Sequence, residues 1–219
     1  MQNRPPTAQV TPAENPPPTG GIAHVAERAC DAILLAAVVA TVFLLACYKL
    51  TDTDIWWHLR GGEWILANGQ VPSLDPFTFG SADRVWIDLH WLFEVASAAM
   101  FRMAGISGVI LLGAAAVAGA ILVSACGRHR RLVPVAAGCW VVPVALLGYR
   151  LDPRPELFSL LFLAIFLAVL DLAERRPALV WVLPAVEVLW VNMHGLFVIG
   201  PVVYLLFLMG QTAKRRFAS

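Results

Sequence analysis

Two aspartates one residue apart, Asp52 and Asp54, follow a long apolar run and stand immediately before a Trp-rich segment. A carboxylate at a membrane edge, beside apolar and aromatic groups, is partly desolvated, and desolvation raises its basicity towards the range of a general base. The pair therefore predicts a proton-accepting group at the bilayer surface. The same spacing also fits the solvated end of a helix, so the pattern alone leaves both interpretations open.

Two arginines, Arg150 and Arg154, flank Asp152 in a short Pro-rich connection between two apolar runs. The planar guanidinium group suits bidentate hydrogen bonding to phosphate oxygens. We expect these arginines to hold a lipid phosphate. The structural alternative is that they pair with Asp152 and Glu156 at a helix start.

Three histidines, His58, His90 and His194, fall on the same predicted side of the membrane. A neutral imidazole can donate and accept hydrogen bonds or ligate a metal ion. We expect these histidines to contact a polar substrate, against the simpler alternative that each satisfies a local hydrogen bond. The four cysteines include no CxxC pair and have no histidine at metal-ligand spacing, so neither structural zinc nor a disulfide framework is expected.

The composition indicates an integral membrane protein. Of the 219 residues, 59% are hydrophobic and 14% are charged, and the mean hydropathy is +0.71. These values lie outside the usual range of soluble domains. The net charge is +1 and no basic patch with interleaved aromatic residues is present, so nucleic acid is not an expected partner. Residues 1–28 are rich in proline and polar residues and predict a disordered cytoplasmic tail.

Three clusters of basic residues set the predicted orientation, because Lys and Arg beside membrane spans are enriched on the cytoplasmic side. The clusters lie within residues 127–131, 174–176 and 214–216. Six apolar runs predict membrane spans over residues 29–50, 108–126, 132–149, 156–172, 178–192 and 196–210. All three clusters face the cytoplasm if both termini are cytoplasmic and residues 51–107 form an outer loop.

The outer loop is predicted to contain two helices that lie on the membrane surface. The first covers residues 55–68 and ends at an Asn-Gly pair. The second covers residues 89–105, where Glu94 and Arg102 interrupt an otherwise apolar helical pattern. X-Pro steps between the two helices favour an extended path. The predicted fold is thus an all-α, polytopic transmembrane bundle of about six spans.

Glu187 differs from the other acidic residues because it lies inside a predicted span, 178–192. A carboxylate is costly within a bilayer and usually serves an internal partner or a polar cavity. The sequence does not identify that partner.

A resemblance to the GT-C superfamily of membrane glycosyltransferases covers residues 29–210. The superfamily includes protein O-mannosyltransferases, aminoarabinose transferases and oligosaccharyltransferases. The similarity is to the first half of bacterial members, and it is carried by the segments DTDIWWHLRGGEWILANGQVPSLDPFTF, WIDLHWLFEV, DPRPELFSLL and LWVNMHGLFVIGP. In those relatives an acidic residue of the first outer loop acts as the base. Asp54 matches it best, since it stands fifteen residues before Gly69, and Asp52 is the second choice. This chain has Ile55 where those relatives have Glu.

The resemblance implies transfer of a sugar from a polyprenyl-phosphate donor to an acceptor on the outer side of a bacterial inner membrane. The donor's lipid would reach the site sideways through the bilayer, and Arg150 or Arg154 would hold its phosphate. A divalent metal ion is compatible with the resemblance but is not required by it. Family members have more spans, so the resemblance further implies a module completed by a C-terminal half or a partner subunit. Membrane lipids are the remaining expected contact.

Two alternatives of other functional classes stay open on the sequence. One is a non-catalytic polytopic membrane protein that binds or passes a lipid-linked substrate. The other is a small-solute transporter, whose substrate site would be marked by a mid-helix interruption such as Pro143 or Pro184.

Overall fold

The computed structural model describes residues 20–47, 50–80, 84–125 and 151–217. Most of the predicted tail, the predicted span 132–149, the first basic cluster and Arg150 lie outside the described residues. The prediction that Arg150 holds a phosphate is therefore not addressed by the structure.

Helices dominate the part of the chain that the structure describes. They are α1 (Gly20–Ala46), α2 (Ile55–Asn68), α3 (Trp91–Ala125), α4 (Pro155–Ala173), α5 (Leu183–Val191) and α6 (Ile199–Phe217). Short 3₁₀ helices, Pro177–Val182 and Gly195–Val198, precede α5 and α6. The only β-pairing among these residues is an isolated antiparallel bridge between Leu74 and Val85. The predicted all-α class is confirmed for the described residues.

Four helical segments are long and apolar enough to cross a membrane. They are Arg28–Ala46, Trp91–Ala125, Pro155–Ala173 and Gly195–Phe217. Helices suit this environment because a bilayer offers no water to satisfy backbone N–H and C=O groups. The predicted span 178–192 is instead a shorter apolar segment, Pro177–Val191, which begins as a 3₁₀ helix. Among the described residues the structure thus gives four candidate spans, and the count of six stays a prediction.

Helix α3 contains a sharp kink that divides it into two parts. Ala104 (φ −143°, ψ 17°) and Gly105 (φ 61°, ψ −150°) have non-helical backbone angles. The positive φ at position 105 is a conformation that glycine adopts without steric cost. The part before the kink, up to Met103, corresponds to the predicted surface helix 89–105. The part after it corresponds to the predicted span 108–126.

The core lies where α3 packs against α1, α2 and α4. Val109 and Val117 of α3, Val42 of α1 and Phe158 and Phe162 of α4 are buried there. In contrast, the large apolar side chains of α6 are mostly exposed, as expected for a surface covered by lipid. Helix α3 is therefore central to the packing, and α6 lies at the periphery.

The second and third basic clusters lie at the same end of the bundle. Lys214 Nζ, near the end of α6, lies 2.9 Å from Oε1 of Glu174, which follows α4. Gln211 Nε2 donates to the same oxygen at 2.9 Å. We call this the basic end. The opposite end, where α2, α3 and α4 begin and α5 finishes, is called the loop end.

Candidate functional site

The loop end joins the two connections that the sequence singled out. Asp52 Oδ2 lies 2.6 Å from Nε of Arg154, and the Asp52 side chain is only 6% exposed. Beside this ion pair, Thr51 donates to Asp152 from its hydroxyl (2.7 Å) and its backbone N–H (3.3 Å). Residues about one hundred positions apart are thereby fixed against each other by three polar contacts.

Local sequence explains the position of Arg154. A residue before proline favours extended backbone, and Arg154 has φ −129° and ψ 154° immediately before Pro155, the first residue of α4. The connection also packs closely on α3, because a Cβ added at Gly113 would lie 3.1 Å from the Cα of Pro153. The arginine therefore projects from a connection that is held on both sides.

The two aspartates have different surroundings. Asp52 is buried, and besides pairing with Arg154 it accepts a hydrogen bond on Oδ1 from the backbone N–H of Asp54 at 3.1 Å. Asp54 is exposed at the N-cap of α2, and its carboxylate makes no capping hydrogen bond. Asp52 is thus occupied in orienting Arg154, whereas Asp54 presents its carboxylate outward at the start of a helix. Of the two carboxylates, that of Asp54 is the more exposed to solvent.

The three predicted histidines come together from three parts of the chain. The ring centroids of His58 and His90 are 5.7 Å apart, and those of His90 and His194 are 5.5 Å apart. His58 lies on α2, His90 lies just before α3, and His194 lies between α5 and α6. We call these three residues the histidine cluster. Their contact with a polar substrate stays a prediction.

Hydrogen bonds from buried residues hold two of the three imidazoles. Nδ1 of His58 lies 3.1 Å from Oε1 of Glu94, and Nδ1 of His194 lies 2.8 Å from Oγ of Ser159. The buried indole of Trp190 also donates to that hydroxyl, at 2.8 Å. Glu94, Ser159 and Trp190 are 7%, 4% and 0% exposed. These ring-supporting residues are internal and were not among the predicted site residues.

The third imidazole is placed through the backbone that carries it. The N–H of His90 donates to Oδ1 of Asp88 at 2.8 Å. The start of α3 is in turn tied to the end of α5, because Asn192 accepts hydrogen bonds from the indole of Trp91 (2.7 Å) and the N–H of Leu92 (3.0 Å). These contacts bring the segments of His90 and His194 together.

Two adjacent glycines allow α2 to approach α3 closely enough for the Glu94–His58 contact. A Cβ at Gly61 would overlap the Glu94 carboxylate, and a Cβ at Gly62 would overlap the backbone carbonyl of Glu94. A larger residue at position 62 would push the helix backbones apart, whereas one at position 61 would displace the Glu94 carboxylate. The Gly61-Gly62 pair thus marks the place where the Glu94 side chain and backbone pack against α2.

Burial affects two members of the histidine cluster. It lowers the pKa of His90, and neighbouring His58 and His194 lower it further, against an opposing effect of Asp88 and Glu156. Burial likewise lowers the pKa of His194, with Glu156 acting in the opposite direction. Both imidazoles are therefore neutral at neutral pH and can accept hydrogen bonds.

A metal ion fits the described part of the site poorly. Within residues 20–47, 50–80, 84–125 and 151–217, no group of three or more His, Cys, Asp or Glu side chains is arranged to hold a metal ion. Asp52 already pairs with Arg154, and His58 and His194 each have one ring nitrogen engaged.

Glu187 of α5 stands apart from the loop-end site. Neither of its carboxylate oxygens has a hydrogen-bond partner among the residues that the structure describes. The side chain packs against Gly200, where a Cβ would overlap it, and near Phe166. The expected internal partner is not found in the described residues.

Comparison with known proteins gave no relative: no family model matches the chain, and neither a curated protein nor a solved structure does.

Proposed function

We propose that this chain is a GT-C-type glycosyltransferase module that transfers a sugar from a polyprenyl-phosphate donor to an acceptor at the loop end. The observation that carries the proposal is the ion pair between the buried carboxylate of Asp52 and the partly exposed Arg154, beside the exposed carboxylate of Asp54. This arrangement combines a cationic group that suits a phosphate with a carboxylate that can take a proton. The resemblance to the superfamily supplies the reaction type.

The phosphate contact is assigned to Arg154. Its Nε is bound by Asp52, and its side chain is 38% exposed, so its terminal nitrogens are the part of the fork left to reach a ligand. Hydrogen bonds between a guanidinium group and phosphate oxygens are charge-assisted, and a fixed fork binds them with little loss of rotamer freedom. The ion pair with Asp52 therefore orients the arginine for the donor.

The reaction is a direct displacement at the anomeric carbon. The acceptor oxygen forms a bond to that carbon as the bond from carbon to phosphate oxygen breaks. Asp54 takes the acceptor's proton, and Arg154 balances the charge that develops on the departing lipid phosphate. The histidine cluster lies at the same end of the bundle and provides hydrogen bonds for the polar part of the substrate.

The proposal places the chain in a bacterial inner membrane with the loop end outside and both termini cytoplasmic. Support comes from the contact between Lys214 and Glu174, which brings two basic clusters to one end of the bundle. Lys and Arg are enriched on the cytoplasmic side of membrane proteins. The lipid of the donor would then approach the loop end from the outer leaflet.

The proposal can be tested with the full chain in nanodiscs and undecaprenyl phosphates carrying radiolabelled mannose, glucose or aminoarabinose. Formation of a labelled product or hydrolysis of the donor is expected with at least one of these sugars. Arg154→Ala should abolish most of that turnover, and Arg154→Lys should restore it only in part, because lysine lacks the planar fork. Arg102→Ala, at an exposed arginine of α3, is the matched control.

The outcomes separate transfer from binding. If the unaltered chain turns over the donor and Arg154→Ala does so at the same rate, this arginine does not belong to the site. Binding of undecaprenyl phosphate without any turnover would contradict the transferase and favour the non-catalytic alternative.

A further inference from the structure

Glu94 is a buried acidic residue that the proposed transfer reaction leaves without a role. It is 7% exposed, and its Oε2 has no hydrogen-bond partner among the described residues, whereas its Oε1 lies 3.1 Å from Nδ1 of His58. Two glycines, Gly61 and Gly62, make the space that its carboxylate and backbone occupy. A buried carboxylate is costly unless it is paired, so its position beside an imidazole calls for an explanation.

The contact determines which nitrogen of His58 is open to a proton. An ionised carboxylate only accepts hydrogen bonds, so when Glu94 is ionised Nδ1 of His58 donates to it. In the neutral ring the proton is then on Nδ1, and Nε2 is the accepting nitrogen. The same carboxylate would stabilise the imidazolium formed when Nε2 takes up a proton. Edge-on packing against the buried ring of Phe93, with centroids 5.1 Å apart, keeps His58 in place.

His58 lies one helical turn after Asp54 on α2. Asp54 has helical backbone angles (φ −66°, ψ −24°), and the N–H of His58 donates to its carbonyl at 3.3 Å. Side chains four residues apart are neighbours on one face of a helix. The exposed carboxylate of Asp54 and the partly buried imidazole of His58, 20% exposed, therefore share that face.

We propose that Asp54, His58 and Glu94 form a proton relay, in which His58 receives the acceptor's proton from Asp54 and Glu94 is the positioning residue. The relay rests on the proposed glycosyl transfer. As the acceptor oxygen bonds to the sugar carbon and the lipid phosphate leaves, the O–H proton passes to the Asp54 carboxylate. It then moves to Nε2 of His58 and finally to water. Imidazole is a stronger base than a carboxylate, so this second step favours completion of the proton transfer.

Other charged groups also act on the relay from the elements around it. His58 interacts with His90 from the segment before α3, with Glu94 of α3 and with His194 from the segment after α5. Asp88 acts in turn on His90 and Glu94, and Glu156 of α4 acts on His90 and His194. Only Glu94 among them makes a hydrogen bond to His58 in the described residues. Its removal should therefore have an effect on His58 that loss of a more distant charge does not reproduce.

The first test measures the tautomer directly. In full-length chain labelled with ¹⁵N-histidine, in nanodiscs at pH 8, the His58 ring is expected to show its proton on Nδ1. The signal is assigned by its loss in His58→Gln. A ring with its proton on Nε2 would overturn the relay, whatever reaction the protein performs.

The second test is the pH dependence of donor turnover with the sugar-linked undecaprenyl phosphates. Glu94→Gln keeps the size of the side chain but removes the charge that stabilises the imidazolium. We expect the rate at neutral pH to fall about tenfold, and the acidic limb of the profile to move down by roughly one pH unit. Glu94→Asp should restore part of the rate. Glu63→Gln is the matched control, because Glu63 lies on α2 with His58 but its exposed carboxylate lies beside Arg60.

A purely structural role of Glu94 would lower the amount of folded protein but leave the shape of the pH profile unchanged, and that result would overturn the relay. The same conclusion would follow if His58→Gln retained the unaltered acidic limb. If the unaltered chain turned over no donor, the proposed transferase would fail and the relay with it. An active chain with an unshifted profile in Glu94→Gln would contradict the relay alone.

Discussion

The two ends of the bundle each contain an ion pair between distant parts of the chain, but the two pairs have different surroundings. At the basic end, the side chains of Lys214 and Glu174 are 68% and 24% exposed. At the loop end, the side chains of Arg154 and Asp52 are 38% and 6% exposed. An exposed pair contributes little to stability, whereas a buried pair needs well-placed partners to offset desolvation. Among the described residues, the loop-end pair is the less exposed of the two, and the proposed function assigns the polar ligand to that end.

The largest expected effect concerns Asp54 at the loop end. Asp54→Asn conserves volume at an exposed position, so the chain should insert and fold normally. It removes the proposed proton acceptor, and the rate of sugar transfer should fall by about 10² to 10⁴. Steady-state transfer from the undecaprenyl-phosphate sugars measures this effect. Asp52→Asn should lower the rate less and weaken donor binding more, since Asp52 orients Arg154. Equal rates for Asp54→Asn and the unaltered chain would refute the assignment.

The next effect concerns the close contact between α2 and α3. Gly62→Ala places a methyl group against the backbone carbonyl of Glu94 and should destabilise the fold by about 1–3 kcal/mol, as overpacking does. Gly210→Ala on α6 is the control, because nothing lies within 4 Å of the added Cβ. Thermal unfolding in detergent should separate the two variants. If both behaved alike, the contact between α2 and Glu94 would be looser than the structure shows.

Long apolar helices could be predicted from the sequence, but contacts between distant helices could not. Apolar run length predicted the helices α1, α4 and α6, because length and composition decide whether a segment can cross a bilayer. The pattern also placed His58, His90 and His194 on one side. Their support by Glu94, Ser159 and Trp190 was missed, since such contacts join helices that are far apart in sequence and have no signal in local periodicity.

The predicted span 178–192 shows a second limit. Its apolar length was read correctly, but hydropathy does not report the 3₁₀ geometry of Pro177–Val182 or the short helix that follows. The kink at Gly105 is similar, because a glycine inside an apolar run fits a straight helix as well as a break. Hydropathy therefore predicted where apolar segments lie but not the local backbone geometry within them.

Acid should weaken the loop end more than the basic end. The pKa values of His90 and His194 are lowered in the folded protein, so the unfolded chain binds more protons below the ordinary histidine pKa of 6.5. Their contribution to stability is present above that pH and is lost as the pH falls below it. Unfolding curves at pH values from 8 to 5 give the free energy of unfolding of the unaltered chain and of a His90→Gln/His194→Gln variant. The stability of the unaltered chain relative to the variant should fall as the pH falls. An unchanged difference would mean that the two rings are not buried.

The smallest effect is expected at the basic end. Lys214→Ala removes an exposed contact with Glu174, and the free energy of unfolding should change by about 1 kcal/mol or less. Sugar transfer should be unaffected, because this contact lies at the opposite end from Asp54. Chemical unfolding and the transfer assay measure the two quantities. A loss of transfer comparable to that of Arg154→Ala would remove the distinction between the two ends.

The most direct test of the central claim locates the phosphate of the lipid. An undecaprenyl phosphate analogue with a photoreactive diazirine beside the phosphate is bound to the full chain in nanodiscs, crosslinked and mapped by peptide mass spectrometry. The account predicts crosslinks in residues 51–58 and 151–159, and their loss in Arg154→Ala but not in Lys214→Ala. Crosslinks concentrated in residues 174–176 and 214–216 would contradict it, because the lipid phosphate would then bind at the basic end.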